Sequence, residues 1–458
     1  MTAIAGLSPN TSLLLCVAAG VLGLIVLIAK FKLNSIVALV VASLFVGVAS
    51  GMKLPDIATA FQQGVGKVLG DIAMVVGLGT VLGKLLAESG GAQVVADTLI
   101  RSLGERRLHW AMMLMAFVVG IPVFFGVGLV LLVPILFAVA RQSKTPLLML
   151  GVPLVAALSV AHGLVPPHPG PLAAIASLNG PAGKVDLGKV ILLSLVVGFP
   201  VAVFTGVLLR RFIVRGEVAP LTGGIADALT APAAPPKRPG FVLTIFTIIL
   251  PVLLMLLKTA ADVTVEEGRP IRQWAAFVGN PLTAMTVATL FALWSFGTSR
   301  GFSRDQVLKF TNDCLGPAAI ILLVVGAGGG FNGVLIASGA GKAIHEMTKS
   351  LPLSPLLLGW MAAALIRVAT GSATVAIQTA SGLLAGVVAG SPGVNLELLV
   401  LAMGAGSLIL SHVNDGGFWL VKEYLNMTVP QTLQTWTVLE TVISVLALLL
   451  VLLLDLLL

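Results

Sequence analysis

The sequence predicts an all-α protein that crosses a membrane many times, and three observations support this prediction. Only 10% of the 458 residues are Asp, Glu, Lys or Arg, whereas soluble domains carry about 25%. Hydrophobic residues make up 57% of the chain and the mean hydropathy is +1.07, so the chain could not cover a water-facing surface. Finally, many apolar runs approach about 20 residues, the length that crosses a hydrocarbon core of about 30 Å.

Eight apolar runs each fit one helix. They are residues 12–29, 33–52, 147–161, 190–209, 241–257, 274–299, 396–413 and 436–458. Two longer regions, 108–140 and 351–390, contain residues that break helices, among them Pro122 and Gly371. We expect each of these regions to be a broken helix, which predicts about 10–12 transmembrane helices in total.

Two apolar segments, residues 71–91 and 315–341, are unusually rich in glycine. Glycine can let neighbouring helices pack closely. It can also form the turn of a re-entrant hairpin, which is tolerated at membrane depth only inside protein or beside a water-filled cavity. We favour hairpins with tips near Gly79 and near Gly329, Gly330 and Asn332.

An internal repeat supports two related halves. A shift of 249 residues places residues 75–79 on 324–328, and seven of the 17 positions from 75 to 91 are identical after this shift. A shift of 250 places His162 on His412. Each copy shows a glycine-rich hairpin, a broken helix, a full helix and a polar end, an order that predicts two inverted repeats.

The repeat divides the chain into three parts. Residues 1–214 form the N-terminal transmembrane half and residues 241–458 the C-terminal half. Residues 215–240 are rich in proline and too polar to span a membrane, which predicts a linker. Basic residues in this linker and in several other loops favour the cytoplasmic side.

Polar residues at membrane depth are the first candidates for function, because an ionisable group is costly there. His162 and His168 lie in a proline-rich stretch without any Asp, Glu, Lys or Arg, and each could carry a proton near neutral pH. The alternative is that both histidines only cap a helix end at the membrane interface.

The second polar cluster lies in the middle of the second broken region. Gly371 permits the chain to unwind, and Thr370, Ser372 and Thr374 can cap the half-helix that follows. The open helix end would favour an anion, and Arg367 could bind its carboxylate. Alternatively, Arg367 reaches the membrane interface or pairs with a structural carboxylate.

The third cluster ends a predicted helix near the C-terminus. His412 and Asp415 are titratable, as proton coupling requires, and Asn414 can hydrogen-bond a hydroxyl. The alternative is an interfacial turn anchored by Trp419. We expect Glu440, one turn into the last span, to have a structural role.

At these clusters the sequence resembles the gluconate permease family of proton symporters, within the ion transporter superfamily. The similarity is carried by Ser411-His412-Val413-Asn414-Asp415-Gly416-Gly417-Phe418-Trp419, by residues 435–441, by 162–171 and by 371–374. It implies uptake of a sugar acid such as gluconate with protons across a bacterial inner membrane. Relatives also carry glycerate or D-serine, so the family does not define the substrate. Related transporters often have an acidic residue where this chain has Gly126.

The combined prediction is a secondary transporter that binds a small carboxylate between the hairpin tips and the break at residues 370–374. Asp415, His412 and His162 would serve proton coupling, while Asn332, Asn414, Ser372 and Thr374 would bind hydroxyls. His168 is a further candidate for substrate contact. A cation/proton antiporter or an ion channel of the same superfamily is the alternative.

Several other classes are not predicted. The basic residues are scattered between apolar runs, which argues against nucleic acid as a partner. Metalloprotease and serine-hydrolase motifs are missing, so we do not predict an enzyme, a cofactor or a metal site. The expected partners are the substrate, protons and the lipid bilayer, and a homodimer is left open.

Overall fold

The computed structural model describes residues 8–180, 183–214, 237–340, 343, 354–389, 391, 393–412 and 415–458. Every regular element in these residues is a helix, and nine helical segments among them are long and apolar enough to cross a membrane. Five shorter apolar helices accompany them. The predicted all-α, multi-pass fold is therefore confirmed.

Within the described residues, the N-terminal half consists of helices, several of which begin with a side-chain cap. Its helices are α1 (Pro9–Ala29), α2 (Ser35–Ala49), α3 (Leu54–Glu88), α4 (Gly91–Leu103), α5 (Leu108–Gly120), α6 (Phe125–Ser143), α7 (Leu147–Leu164), α8 (Pro169–Leu178), α9 (Leu187–Ala202) and α10 (Arg210–Ile213). The side chains of Ser8, Asn34 and Asp186 accept backbone N–H groups at the starts of α1, α2 and α9. A π-helical segment, Val203–Leu208, joins α9 to α10.

The C-terminal half follows the same plan. Its helices are α11 (Phe241–Thr264), α12 (Pro270–Val278), α13 (Pro281–Ala292), α14 (Arg304–Asp313), α15 (Leu315–Ala337), α16 (Pro355–Thr370), α17 (Ala373–Ala389), α18 (Leu396–Gly406), α19 (Gly416–Tyr424), α20 (Val429–Thr432) and α21 (Val438–Leu457). The segments Leu293–Gly297 and Leu433–Thr437 are π-helical. Adding 249 to the residue numbers aligns α3 with α14 and α15. The same shift aligns α5 and α6 with α16 and α17, and α7 with α18.

The two equivalent long helices, α3 and α15, pack against each other in opposite directions. A Cβ atom added at Gly64 would lie 2.2 Å from the carbonyl oxygen of Gly329. One added at Gly333 would lie 2.3 Å from the carbonyl oxygen of Ala60. Residues nearer the N-terminus of α3 therefore contact residues nearer the C-terminus of α15. Antiparallel packing of equivalent helices is what an inverted repeat requires, so this prediction is confirmed.

The turns of the two hairpins lie further along the chain than predicted. Helix α3 continues through Gly79, and the chain turns only at Ser89 and Gly90, where φ is 70°. Helix α4 then packs back against α3 and α5. A left-handed conformation of this kind is easily adopted by glycine, which explains the position of the turn.

The second hairpin shows the same displacement. Helix α15 continues through Gly329, Gly330 and Asn332, and the chain turns at Ser338 and Gly339, where φ is 80°. The predicted turns at Gly79 and at Gly329-Gly330 are thus wrong. At Gly329 and Gly330, glycine removes bulk from the helix surface so that the backbones of α15 and α3 can touch.

Both long apolar regions are broken, as predicted. The region 108–140 divides into α5 and α6 at residues 121–124, and 351–390 divides into α16 and α17 at residues 371–372. Gly371 has a φ of 72°, which ends α16 in a left-handed cap. Further breaks separate α7 from α8 and α18 from α19.

Two predicted spans and the linker differ in extent from the described structure. The run 274–299 holds two helices, because α12 ends at Val278 and the side chain of Asn280 caps the start of α13. The helix predicted over 396–413 ends at Gly406. Most of the predicted linker, residues 215–236, lies outside the described residues.

Candidate functional site

The helix breaks are joined in pairs by hydrogen bonds to histidine. Nε2 of His168, in the break after α7, lies 2.7 Å from the carbonyl oxygen of Gly120 at the end of α5. Nε2 of His412, in the break after α18, lies 2.9 Å from the carbonyl oxygen of Val368 in α16. Because a carbonyl oxygen only accepts, each Nε2 carries the hydrogen in these bonds. Each repeat thus connects its two interrupted helices.

The break between α16 and α17 forms an open helix N-terminus. The hydroxyl oxygen of Ser372 accepts the backbone N–H of Val375 at 3.3 Å, so Ser372 caps α17 as predicted from the sequence. Thr370 donates its hydroxyl to a carbonyl one turn earlier, at 2.8 Å. Ser372 and Thr374 are half-buried. The first N–H groups of any helix lack acceptors within that helix, so this end favours an anion.

A buried ion pair lies at the same break. Arg367 is only 4% exposed, and its Nη2 lies 2.5 Å from Oδ2 of Asp415. Its Nη1 donates to the carbonyl oxygen of Gly371. Asp415 also accepts the backbone N–H of Gly417 at 2.8 Å and the hydroxyl of Ser411. The cation predicted for the substrate and the carboxylate predicted for the proton are therefore partners.

The last helix is attached to this pair through Ser411. The indole N–H of Trp436 donates to the hydroxyl oxygen of Ser411 at 2.7 Å, and the hydroxyl of Thr437 donates to its carbonyl oxygen. Both donors belong to the π-helical segment Leu433–Thr437, and π-helical turns occur often at functional sites. Leu410, which precedes Ser411, has a φ of 47°, uncommon for a residue with a side chain.

Aromatic contacts bring the two halves of the chain together here. The rings of His162 and His168 stand edge to face with centroids 5.2 Å apart. Phe125, in the first turn of α6, lies 6.4 Å from the His162 ring and 5.4 Å from the Trp436 ring, measured between centroids. The histidines of the first half thus adjoin the C-terminal helix of the second.

Glu440 is a member of this cluster that the sequence analysis placed among structural residues. It is 1% exposed, and its carboxyl group lies near Ser159 of α7 and close enough to Arg367 and Asp415 to feel both charges. Its location one turn into an apolar span favours a structural role. The useful signal was its spacing of four residues from both Trp436 and Ser444, which puts all three polar groups on one helix face.

Several polar atoms of the cluster lack a partner among the described residues. They are Nδ1 of His162, Nδ1 of His168, Nε of Arg367 and Oε1 of Glu440, and all four are buried. Buried polar atoms are nearly always hydrogen-bonded, to water or a ligand when the protein supplies no partner. The cluster therefore has both donors and acceptors available to a small polar molecule.

Three of the predicted substrate residues lie away from this break. Gly329 and Gly330 are covered by α3, where a Cβ at Gly330 would meet the Phe61 ring at 2.4 Å. Asn332 faces Gly382 of α17, whose added Cβ would lie 2.8 Å from its Oδ1. Gly382 is nine residues beyond the start of α17 at Ala373, a distance of about 14 Å along the helix.

The remaining predicted positions are closer to the breaks. Gly79 packs near the first break, since its added Cβ would lie 3.9 Å from the carbonyl oxygen of Pro122. Gly126, in the first turn of α6, faces Leu420 of α19. Asn414 lies outside the described residues. Within the described part of the chain, no three His, Cys, Asp or Glu side chains are grouped so that they could hold a metal ion.

The fold and the cluster together define a class of protein. Inverted repeats with helices interrupted inside the bundle are the architecture of secondary membrane transporters. Ionisable side chains buried within membrane-spanning helices mark the transport pathway of such proteins.

Comparison with known proteins identifies the family. The chain belongs to the GntP family of permeases, whose family model matches residues 12–457. It is 48% identical to a gluconate permease of Pseudomonas aeruginosa, over 98% of this chain and 99% of that protein. It is 41% identical to the high-affinity gluconate transporter of Escherichia coli K12, over 94% and 97% of the two chains. The Gnt-II system L-idonate transporter of the same organism is also 41% identical, over 95% and 97%.

A solved structure has the same fold. The crystal structure of the Alcanivorax borkumensis YdaH transporter, described as having an unusual topology, matches with a TM-score of 0.66. The match covers 92% of this chain and 97% of that chain at 17% sequence identity. At this identity the likeness extends to the fold alone.

Proposed function

We propose that this permease imports gluconate or a related small sugar acid together with protons, by alternating access, across a bacterial inner membrane. The observation that supports this most directly is the buried Arg367, whose Nε has no partner among the described residues and which lies beside the open N-terminus of α17. A permanent cation and free N–H groups at one point are suited to a carboxylate.

The chemistry of the surrounding side chains fits the rest of a sugar acid. Such a molecule carries one carboxylate and several hydroxyl groups. With the carboxylate at Arg367 and the start of α17, substrate hydroxyls would bind the half-buried hydroxyls of Ser372 and Thr374. Nδ1 of His168, which has no partner among the described residues, would bind a further hydroxyl. Asn414 completes the proposed set from the sequence. Thr370 and Gly371 would act through the shape of the break.

The charges of the cluster explain why a proton would accompany the substrate. Arg367 and Asp415 neutralise each other, so a bound carboxylate adds a negative charge that lacks a counter-ion. An uncompensated charge in a buried site is costly, and a proton taken up with the substrate removes it. Of the sequence candidates, His162 has a ring nitrogen without a partner in the described part of the chain, whereas His412 and Asp415 are engaged in the bonds described above.

The inverted repeat supports alternating access. In transporters of this architecture, one repeat or bundle moves against the other around a central site. The equivalent helices α3 and α15 meet at these glycines, where Val68 and Phe61 of α3 pack on Gly329 and Gly330, so this is the contact across which the two repeats would move.

The names of the relatives support a sugar acid as the substrate. Relatives named for gluconate and for L-idonate are equally similar to this chain, at 41% identity. The two acids are stereoisomers with the same carboxylate and the same number of hydroxyls. We therefore expect D-gluconate to be transported and L-idonate to compete for the same site.

The experiment is uptake of labelled D-gluconate by purified protein in liposomes with an acidic exterior. Saturable accumulation above the equilibrium level, lost when a protonophore dissipates the pH gradient, is expected. Accumulation that persists without the gradient would exclude proton coupling. A non-saturable cation current would instead indicate a channel, and gradient-driven cation movement without gluconate an antiporter.

A further inference from the structure

We infer that Glu440 is the group that takes up the coupled proton. This inference rests on the proposed symport of a sugar acid and protons. It gives a role in coupling to a carboxyl group that neither the family resemblance nor the sequence pattern assigned to it.

The surroundings of Glu440 hold its side chain against the breaks. One turn before it, Trp436 donates to Ser411 at 2.7 Å. One turn after it, the hydroxyl of Ser444 accepts the indole N–H of Trp360 of α16 at 3.0 Å. These two bonds anchor the same face of the last helix on both sides of Glu440. The carboxyl group is therefore directed into the cluster, consistent with its exposure of 1%.

The hydrogen bonds distinguish Glu440 from Asp415. Asp415 accepts from Arg367, Gly417 and Ser411, so adding a proton to it would disrupt a buried ion pair. Oε1 of Glu440, by contrast, has no hydrogen-bond partner among the described residues, so a proton can bind there without displacing a contact.

Several helices pack against the last helix, and their charged side chains set the electrostatic surroundings of Glu440. Arg367 of α16 and Asp415 of the break before α19 act on it with opposite signs. From α7, Ser159 lies near Glu440, and His162, one turn after Ser159, feels the charges of Arg367 and Asp415. Helices α9 and α18 each carry one charged side chain, Lys189 and Glu397, in the first turn and therefore far from the breaks.

The proton step balances in charge. With Glu440 ionised, the group of Arg367, Asp415 and Glu440 carries one net negative charge. A proton from the outside binds Oε1 and makes the group neutral, which removes the repulsion between Glu440 and an incoming carboxylate. After the site opens inward, the substrate leaves and the proton passes from Oε1 to water, which restores the carboxylate.

The test compares two transport modes in liposomes that contain Glu440→Gln. The amide keeps the size and the polarity of the side chain, but it cannot take up a proton in this pH range. We expect accumulation driven by a pH gradient to fall at least tenfold. Exchange of labelled for unlabelled gluconate without a gradient should persist and become independent of pH between about pH 5 and 8, the range in which imidazole ordinarily titrates and into which burial can bring a carboxyl group. Asp455→Asn, the same change at the exposed end of the same helix, should leave both modes unchanged.

Each outcome decides the assignment. Wild-type accumulation in Glu440→Gln, with a normal pH profile, would overturn it. If the variant neither accumulates nor exchanges, Ser159→Ala decides instead, because it keeps the carboxyl group and removes the hydroxyl group near it. The pH midpoint of uptake should then move upward, since the ionised form has lost a polar neighbour that favours it. An unchanged midpoint would overturn the assignment. Failure of the wild-type protein to accumulate gluconate would refute the proposed symport and not the choice of residue.

Discussion

The ion pair between Arg367 and Asp415 provides a quantitative prediction. Both side chains are largely buried, at 4% and 13% exposure, so solvent screens their attraction little. Asp415→Asn would leave the guanidinium charge without its counter-ion, a change that costs about 3–5 kcal/mol in buried pairs. The lower end, about 3 kcal/mol, is expected, because an Asn oxygen can still accept the N–H of Gly417 in the first turn of α19.

A double-mutant cycle measures this interaction. Arg367→Met should destabilise the protein by a similar amount, because it leaves Asp415 unpaired. The double variant removes both charges. Its loss of unfolding free energy should therefore be smaller than the sum of the two single losses, by about 2 kcal/mol or more. Reversible unfolding in mixed detergent micelles, followed by tryptophan fluorescence, gives the free energies. Additive losses within about 0.5 kcal/mol would show that the two charges do not depend on each other.

Three other changes test the packing and the geometry of the breaks. Gly64→Ala places a methyl group 2.2 Å from a carbonyl oxygen of α15 and should lower the free energy of unfolding by about 1–3 kcal/mol. Gly66→Ala, whose methyl group would have nothing within 4 Å, is the control and should be neutral or stabilising in the same unfolding assay. Gly371→Ala puts a side chain on a residue with φ of 72° and should cost about 1–2 kcal/mol, and full stability would contradict the left-handed cap. Trp436→Phe removes an indole N–H donor and should lower stability by about 1 kcal/mol and raise the KM for gluconate. Trp294→Phe, at a ring that is 53% exposed, is its control.

The general fold could be predicted because its causes are local. Membrane spans follow from the length of apolar runs, and breaks follow from residues such as Gly371 and Pro122 that cannot continue a helix. The internal repeat is visible in the recurrence of Ser89-Gly90 as Ser338-Gly339. These same residues form the observed turns. The repeat therefore marks the turn positions, whereas glycine content alone predicts turns at Gly79 and Gly329.

That error has a physical origin. Glycine serves two purposes in membrane helices: it permits positive φ, and it lets backbones approach one another. Which purpose applies depends on the neighbouring helix. At Gly329 the neighbour is the backbone of α3, which lies more than 200 residues earlier in the sequence. A local sequence pattern cannot show which distant helix packs against a glycine.

The members of the site were partly predictable and their partners were not. The rule that ionisable residues at membrane depth are functional candidates selected Arg367, Asp415, His162 and His168. It did not reveal that Arg367 pairs with Asp415, or that Glu440 approaches both, because these contacts depend on how separate helices are placed.

By itself, the sequence determined that this chain is a multi-pass membrane protein of two related halves with interrupted helices, since hydrophobicity and helix-breaking are properties of short segments. Only the tertiary structure decided which polar groups satisfy one another and which remain available. Buried charges are stabilised by partners from other helices, so the availability of each group depends on the packing of the whole bundle.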